Sequence, residues 1–212
     1  MFEKISFRKY IAVNTVGFGL AGLCWGLVLY RRLPDLEYPF HYAFVILLAV
    51  LGGASLALLR WNAKGILKSI GGGFLGYGVG LLVGGFLIYP LYFTGIYILS
   101  LIPFTNNPIA DKIFELIDLS QKDIGVGSFW LVFLVIGLFA GLSYALFLKT
   151  KVWPMVWRGG AGFALGSLIG PIIGNLLGNL FNSLLVAYLI TFAVMSVVLG
   201  KFLAWGAYNH RK

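Results

Sequence analysis

Apolar runs of about 20 residues recur along this chain, separated by charged or turn-forming residues, and they limit what it can fold into. A helix rising ~1.5 Å per residue needs about 20 apolar residues to cross a ~30 Å hydrocarbon core. On that ruler six transmembrane helices are expected, at roughly 10–30, 40–59, 69–92, 128–148, 159–179 and 184–205. With 60% hydrophobic and only 11% charged residues among 212, a water-soluble fold is excluded. The expected architecture is a single all-α transmembrane domain, residues 1–212, built as a six-helix bundle.

The first run follows Lys4, Arg8 and Lys9 in the manner of a secretory signal. It lacks a small-x-small cleavage site and ends in Arg31-Arg32, so it reads as a retained helix. The stretch from Ser69 to Phe104 carries no charge, and continuously helical it would exceed even a tilted span, so it either kinks near Pro90 or holds an extra short span at 88–104. Basic residues favour the former. With six spans and the N-terminus inside, 12 Lys and Arg lie on the inner side and four (Arg31, Arg32, Lys112, Lys122) outside, whereas a seventh span divides them equally. Both termini are therefore expected in the cytoplasm. The net charge of +9 serves this orientation and not a nucleic-acid partner, because the cations sit between apolar runs.

Two glycine ladders suggest an internal repeat. Gly72, Gly76, Gly80 and Gly84 recur every four residues in the third span, and Gly162, Gly166, Gly170, Gly174 and Gly178 do so in the fifth. Upstream, Gly53-x-Ser55-x-Ala57-Leu58 matches Gly141-x-Ser143-x-Ala145-Leu146. Spans two and three then correspond to spans four and five in the same membrane orientation, a parallel repeat. Glycines four apart share one helix face and let two backbones approach closely, so the ladders are expected to mark helix contacts. Because spans three and five run in the same direction, the two ladders are expected to meet each other.

Chemistry is sparsely represented. No span carries Asp or Glu near its centre, which weakens any proton relay through a carboxylate. Cys24, His41 and His210 are too few soft ligands for a structural zinc or iron–sulfur site, so neither metal nor cofactor is expected. Catalytic signatures such as G-x-S-x-G, H-E-x-x-H and C-x-x-C are absent, and a non-enzymatic protein is expected. The polar candidates are Asn175, Asn179 and Asn182 with Ser183 at the turn after span five, and a second set of Asn14, Thr15 and Tyr77. Interhelical bonding and turn capping account for most such amides, and Thr15 is expected to bond its own helix. The outer loop 103–127 contains a short amphipathic pattern in which Ile109, Ile113, Leu116 and Ile117 oppose Asp111, Glu115 and Asp118.

Two functions fit. The first is a structural or accessory subunit of a membrane complex, with the lipid bilayer and other membrane proteins or a second copy as partners. The alternative is a small permease or channel for an uncharged or weakly charged solute. The proportions are similar to those of the substrate-binding components of vitamin transporters driven by a separate ATPase, an analogy with no shared motif. Topology is directly testable: a cysteine replacing Lys112 should react with impermeant reagents from outside the cell, and labelling only from inside would reverse the assignment.

Overall fold

The computed structural model describes residues 6–32, 42–57, 63–88, 91 and 130–209. Among the described residues the chain is helical, with no strand. Helix α1 (Phe7–Arg32) is followed by α2 (Tyr42–Leu47), which passes through a π-helical turn (Leu48–Gly52) into α3 (Gly53–Leu56). Helix α4 (Ala63–Val83) ends in a second π-helical turn (Gly84–Ile88). Then come α5 (Trp130–Leu148), α6 (Val152–Leu180) and α7 (Leu184–Asn209). Helices α1, α4, α5, α6 and α7 are long and apolar enough to cross a membrane, while the apolar segment Ala43–Leu56 is shorter. Five such helices are the signature of a multi-pass membrane protein. The amphipathic stretch expected at 103–127, the extra span at 88–104 for all but Ile88 and Leu91, and His41 lie outside the described residues.

Several boundaries differ from those expected. Helix α6 starts at Val152, seven residues before 159, because Pro154 falls in the first turn, where its missing amide has no intrahelical acceptor to serve. Arg158, expected in a loop, is therefore a helical residue. Helix α4 likewise starts at Ala63 and carries Lys64 and Lys68, and α3 ends at Leu56, short of 59. At 29 residues, α6 is about 44 Å long and overshoots a ~30 Å hydrocarbon core, so it tilts or extends into both interfaces.

Each helix packs on its neighbour in sequence, and α1 closes on α7, so the helices form a ring: α1, the α2–α3 segment, α4, α5, α6, α7 and back to α1. Aromatic rings fill its middle. The Trp25 ring lies 5.0 Å from Phe44, 4.2 Å from Phe192 and 6.3 Å from Phe133, joining four ring members through one side chain. Phe133 continues to Phe163 at 4.8 Å, and Tyr77 meets Phe163 at 6.5 Å and Tyr144 at 6.0 Å. All of these residues are fully buried. Offset and edge contacts of this kind add about 0.5–1.5 kcal/mol per pair to the packing of the rings themselves.

The two glycine ladders do not meet. A Cβ at Gly80 would lie 2.7 Å from the Ile136 Cα, and one at Gly76 would lie 2.6 Å from the Ala140 Cα, so the α4 ladder faces α5. A Cβ at Gly166 would lie 2.7 Å from the Met195 carbonyl oxygen, and one at Gly170 would lie 2.6 Å from that of Thr191, so the α6 ladder faces α7. A single glycine stripe can serve one neighbour closely, and in a sequential ring that neighbour is the next antiparallel helix, not the other ladder. Three other glycines are open: a Cβ at Gly71, Gly78 or Gly85 meets nothing within 4 Å.

This contrast yields a prediction. Gly80→Leu should lower stability in lipid or detergent by about 1–3 kcal/mol through overpacking, while Gly78→Leu should be near neutral. Thermal unfolding checks both, and equal losses would contradict the assigned faces. A Gly80→Cys, Ile136→Cys pair should cross-link, and a Gly80→Cys, Gly170→Cys pair should not.

Candidate functional site

The turn between α6 and α7 builds the most developed polar site. Helix α6 ends with the Ser183 amide donating to the Gly178 carbonyl at 2.8 Å, and Asn182 takes the left-handed conformation at φ 46° that this Schellman closure requires. Asparagine tolerates that conformation better than most residues because its short side chain can bond locally. Ser183 Oγ then accepts the Val186 amide at 3.4 Å and caps the start of α7. The turn is thus specified by its own short polar residues.

Around it lies a cavity of about 310 Å³ lined by Asn175, Gly178, Asn179, Asn182, Ser183, Leu184 and Ala187. The three asparagines named from sequence therefore converge on one space. Asn179 and Asn182 are exposed, whereas Asn175 is half-buried with its Oδ1 enclosed and without a hydrogen-bond partner. The interhelical bond expected of Asn175 Oδ1 is not formed. One turn below, the side-chain oxygen of Thr191 is also buried and unpartnered, directly against Gly174. Amides and hydroxyls supply donors and acceptors without charge, so the cavity suits an uncharged hydroxyl- or amide-bearing molecule, and its volume is at the lower end for small-molecule sites.

The second polar set divides between two sets of contacts. Asn14 is buried at the start of α1, where its Nδ2 donates to the Tyr10 carbonyl at 2.9 Å and its Oδ1 lies 3.0 Å from Ser55 Oγ. The Ser55 hydroxyl also reaches the Gly52 carbonyl at 2.7 Å, so its one proton serves either acceptor. Tyr10 donates to the Leu56 carbonyl at 2.9 Å and joins α1 to the end of α3. Tyr77 packs with Tyr144 and Phe163. Thr15, expected to bond its own helix, has its hydroxyl buried without a partner. Proximity in sequence had grouped Asn14 and Thr15, yet adjacent helical residues face different neighbours.

Sequence reasoning missed several buried polar atoms that lack partners: Trp25 Nε1, Ser69 Oγ and Ser196 Oγ. Each is a single residue in an apolar run, with no spacing pattern to mark it. Among the described residues no three His, Cys, Asp or Glu come together as a metal site, and Cys24 is exposed. Comparison with known proteins adds no relative: no family model, no curated protein and no solved structure matches the chain.

The Tyr10 and Asn14 contacts make a further prediction. Tyr10→Phe removes one buried hydrogen bond between α1 and α3 and should cost about 0.5–2 kcal/mol. Ser55→Ala should cost less, because Asn14 keeps its bond to the Tyr10 carbonyl. Unfolding midpoints of the two variants check the order.

Proposed function

We propose that this protein is a non-catalytic structural or accessory subunit of a membrane complex, a six-span bundle that does not itself conduct solute. The observation that carries the reading is the aromatic packing around Trp25, which occupies the middle of the helical ring where a permeation path would have to run. A conducting protein of this size needs polar groups or water along its axis, and the side chains packed around Trp25 are those of Phe44, Phe133 and Phe192, all fully buried.

An internal repeat belongs to the same reading. The α4 ladder meets α5 at Phe147, Ala140, Ile136 and Val132 through Gly72, Gly76, Gly80 and Gly84. The α6 ladder meets α7 at Phe202, Met195, Thr191 and Ala187 through Gly162, Gly166, Gly170 and Gly174. Every glycine pair differs by 90 (162 − 72) and every partner pair by 55 (202 − 147), so the contact register supports a repeat of helix pairs around the ring. Gly53 against Ser69 and Gly141 against Gly159 extend it to the preceding interfaces. A cytoplasmic location for both termini has support in the clustering of Arg8, Lys9, Lys64, Lys68, Lys149, Lys151 and Arg158 at one end, with Arg31 and Arg32 at the other.

The asparagine cavity favours a second reading, a permease or solute-binding transporter component that takes an uncharged polar molecule at its mouth. Stopped-flow light scattering of proteoliposomes separates the two. The subunit reading expects glycerol and urea permeabilities equal to those of protein-free vesicles. A protein-dependent flux that Asn179→Leu abolishes would transfer the assignment to the permease.

A further inference from the structure

At the end of the bundle opposite the asparagine cavity, Arg158 on α6 is held in an unusual setting. Its guanidinium carbon lies 4.7 Å from the centre of the Trp205 ring on α7, and one of its terminal nitrogens is buried with no hydrogen-bond partner. On the same helix Trp153 and Trp157 are 68% and 52% exposed and in edge contact at 5.7 Å, and Trp205 is itself 46% exposed. Lys149 and Lys151, both exposed, occupy the α5–α6 turn just before the helix.

The depth of this group is informative. An α6 of about 44 Å exceeds a ~30 Å hydrocarbon core by roughly 7 Å at each end, and Arg158 lies six residues, about 9 Å, beyond Val152. The guanidinium therefore sits near the boundary between headgroups and acyl chains, against the half-exposed Trp205 indole, where tryptophan is favoured for its apolar body and polar edge. A planar cation held over an indole and still partly exposed at that depth matches a phosphate diester that carries its own acyl chains.

We propose that Arg158, Trp205, Trp153 and Trp157 form a binding site for the headgroup of an anionic phospholipid. Arg158 donates to the phosphate, Trp205 holds the guanidinium in place, and Trp153 and Trp157 flank the upper part of the acyl chains. Lys149 and Lys151 add attraction from the aqueous side. The site is independent of whether the bundle conducts solute.

Native mass spectrometry of the protein released from bilayers containing equal phosphatidylglycerol and phosphatidylcholine tests the proposal. Retained lipid should be predominantly phosphatidylglycerol, and Arg158→Gln should lower that preference about fivefold, the equivalent of ~1 kcal/mol for one cation near the surface. Arg31→Gln, at the opposite end, should leave it unchanged. Equal retention of the two lipids, or an unaltered preference in Arg158→Gln, overturns the site. Protection against thermal unfolding by millimolar inorganic phosphate equal to that by phosphatidylglycerol overturns the lipid assignment. Should Arg158→Gln fail to fold, Arg158→Lys and Trp205→Phe must each weaken phosphatidylglycerol retention while sparing phosphatidylcholine, and an unchanged preference in both counts against the site.

Discussion

Close approach of helix backbones is the interaction on which this structure depends. In a bilayer, an apolar side chain gains little by leaving lipid for protein, so helices must associate through dense packing and the few polar contacts available. Glycine stripes on α4 and α6 supply that density, bringing Gly80 against Ile136 and Gly166 against Met195 at distances no larger residue would allow. Shortened backbone separations also permit Cα–H···O contacts, individually weak and numerous along an antiparallel pair.

Having spent glycine on its periphery, the ring leaves a middle that large side chains must fill. Trp25 spans it, touching Phe44, Phe133 and Phe192 from three other ring members. The two features are complementary: small residues draw neighbours together side by side, and large ones prevent the ring from collapsing or opening inward. The exposed polar groups lie toward the ends, with the asparagine cavity at one and Arg158 at the other, while single polar atoms such as Trp25 Nε1 and Ser196 Oγ are buried within the bundle.

Much of the fold was legible because it depends on local patterns. Apolar length located the five long helices. Helix ends were less legible: Pro154 reads as a helix breaker until its position in the first turn is known, and α6 therefore begins seven residues earlier than its apolar run suggests. Partners across space were not legible. That Gly80 meets Ile136 and not Gly170 depends on the order of helices around the ring, which a repeat alone does not specify. The candidate site divides along the same line. Asn175, Asn179 and Asn182 converge because they lie within eight positions on one helix end and its turn. The Arg158–Trp205 contact joins residues from separate helices, and nothing in either segment indicates the other.

The central claim is that the middle of the ring is dry and filled by protein, and the environment of Trp25 tests it most directly. In a variant keeping Trp25, with Trp61, Trp130, Trp153, Trp157 and Trp205 replaced by Phe, the indole emission should be blue-shifted. Aqueous iodide and brominated acyl chains should both quench it weakly, compared with a variant that keeps only Trp153. Red-shifted emission with strong iodide quenching would place water at the centre of the bundle. Quenching by brominated lipid as strong as that of Trp153 would place Trp25 on the outer surface, and either result would contradict the packing on which this account rests.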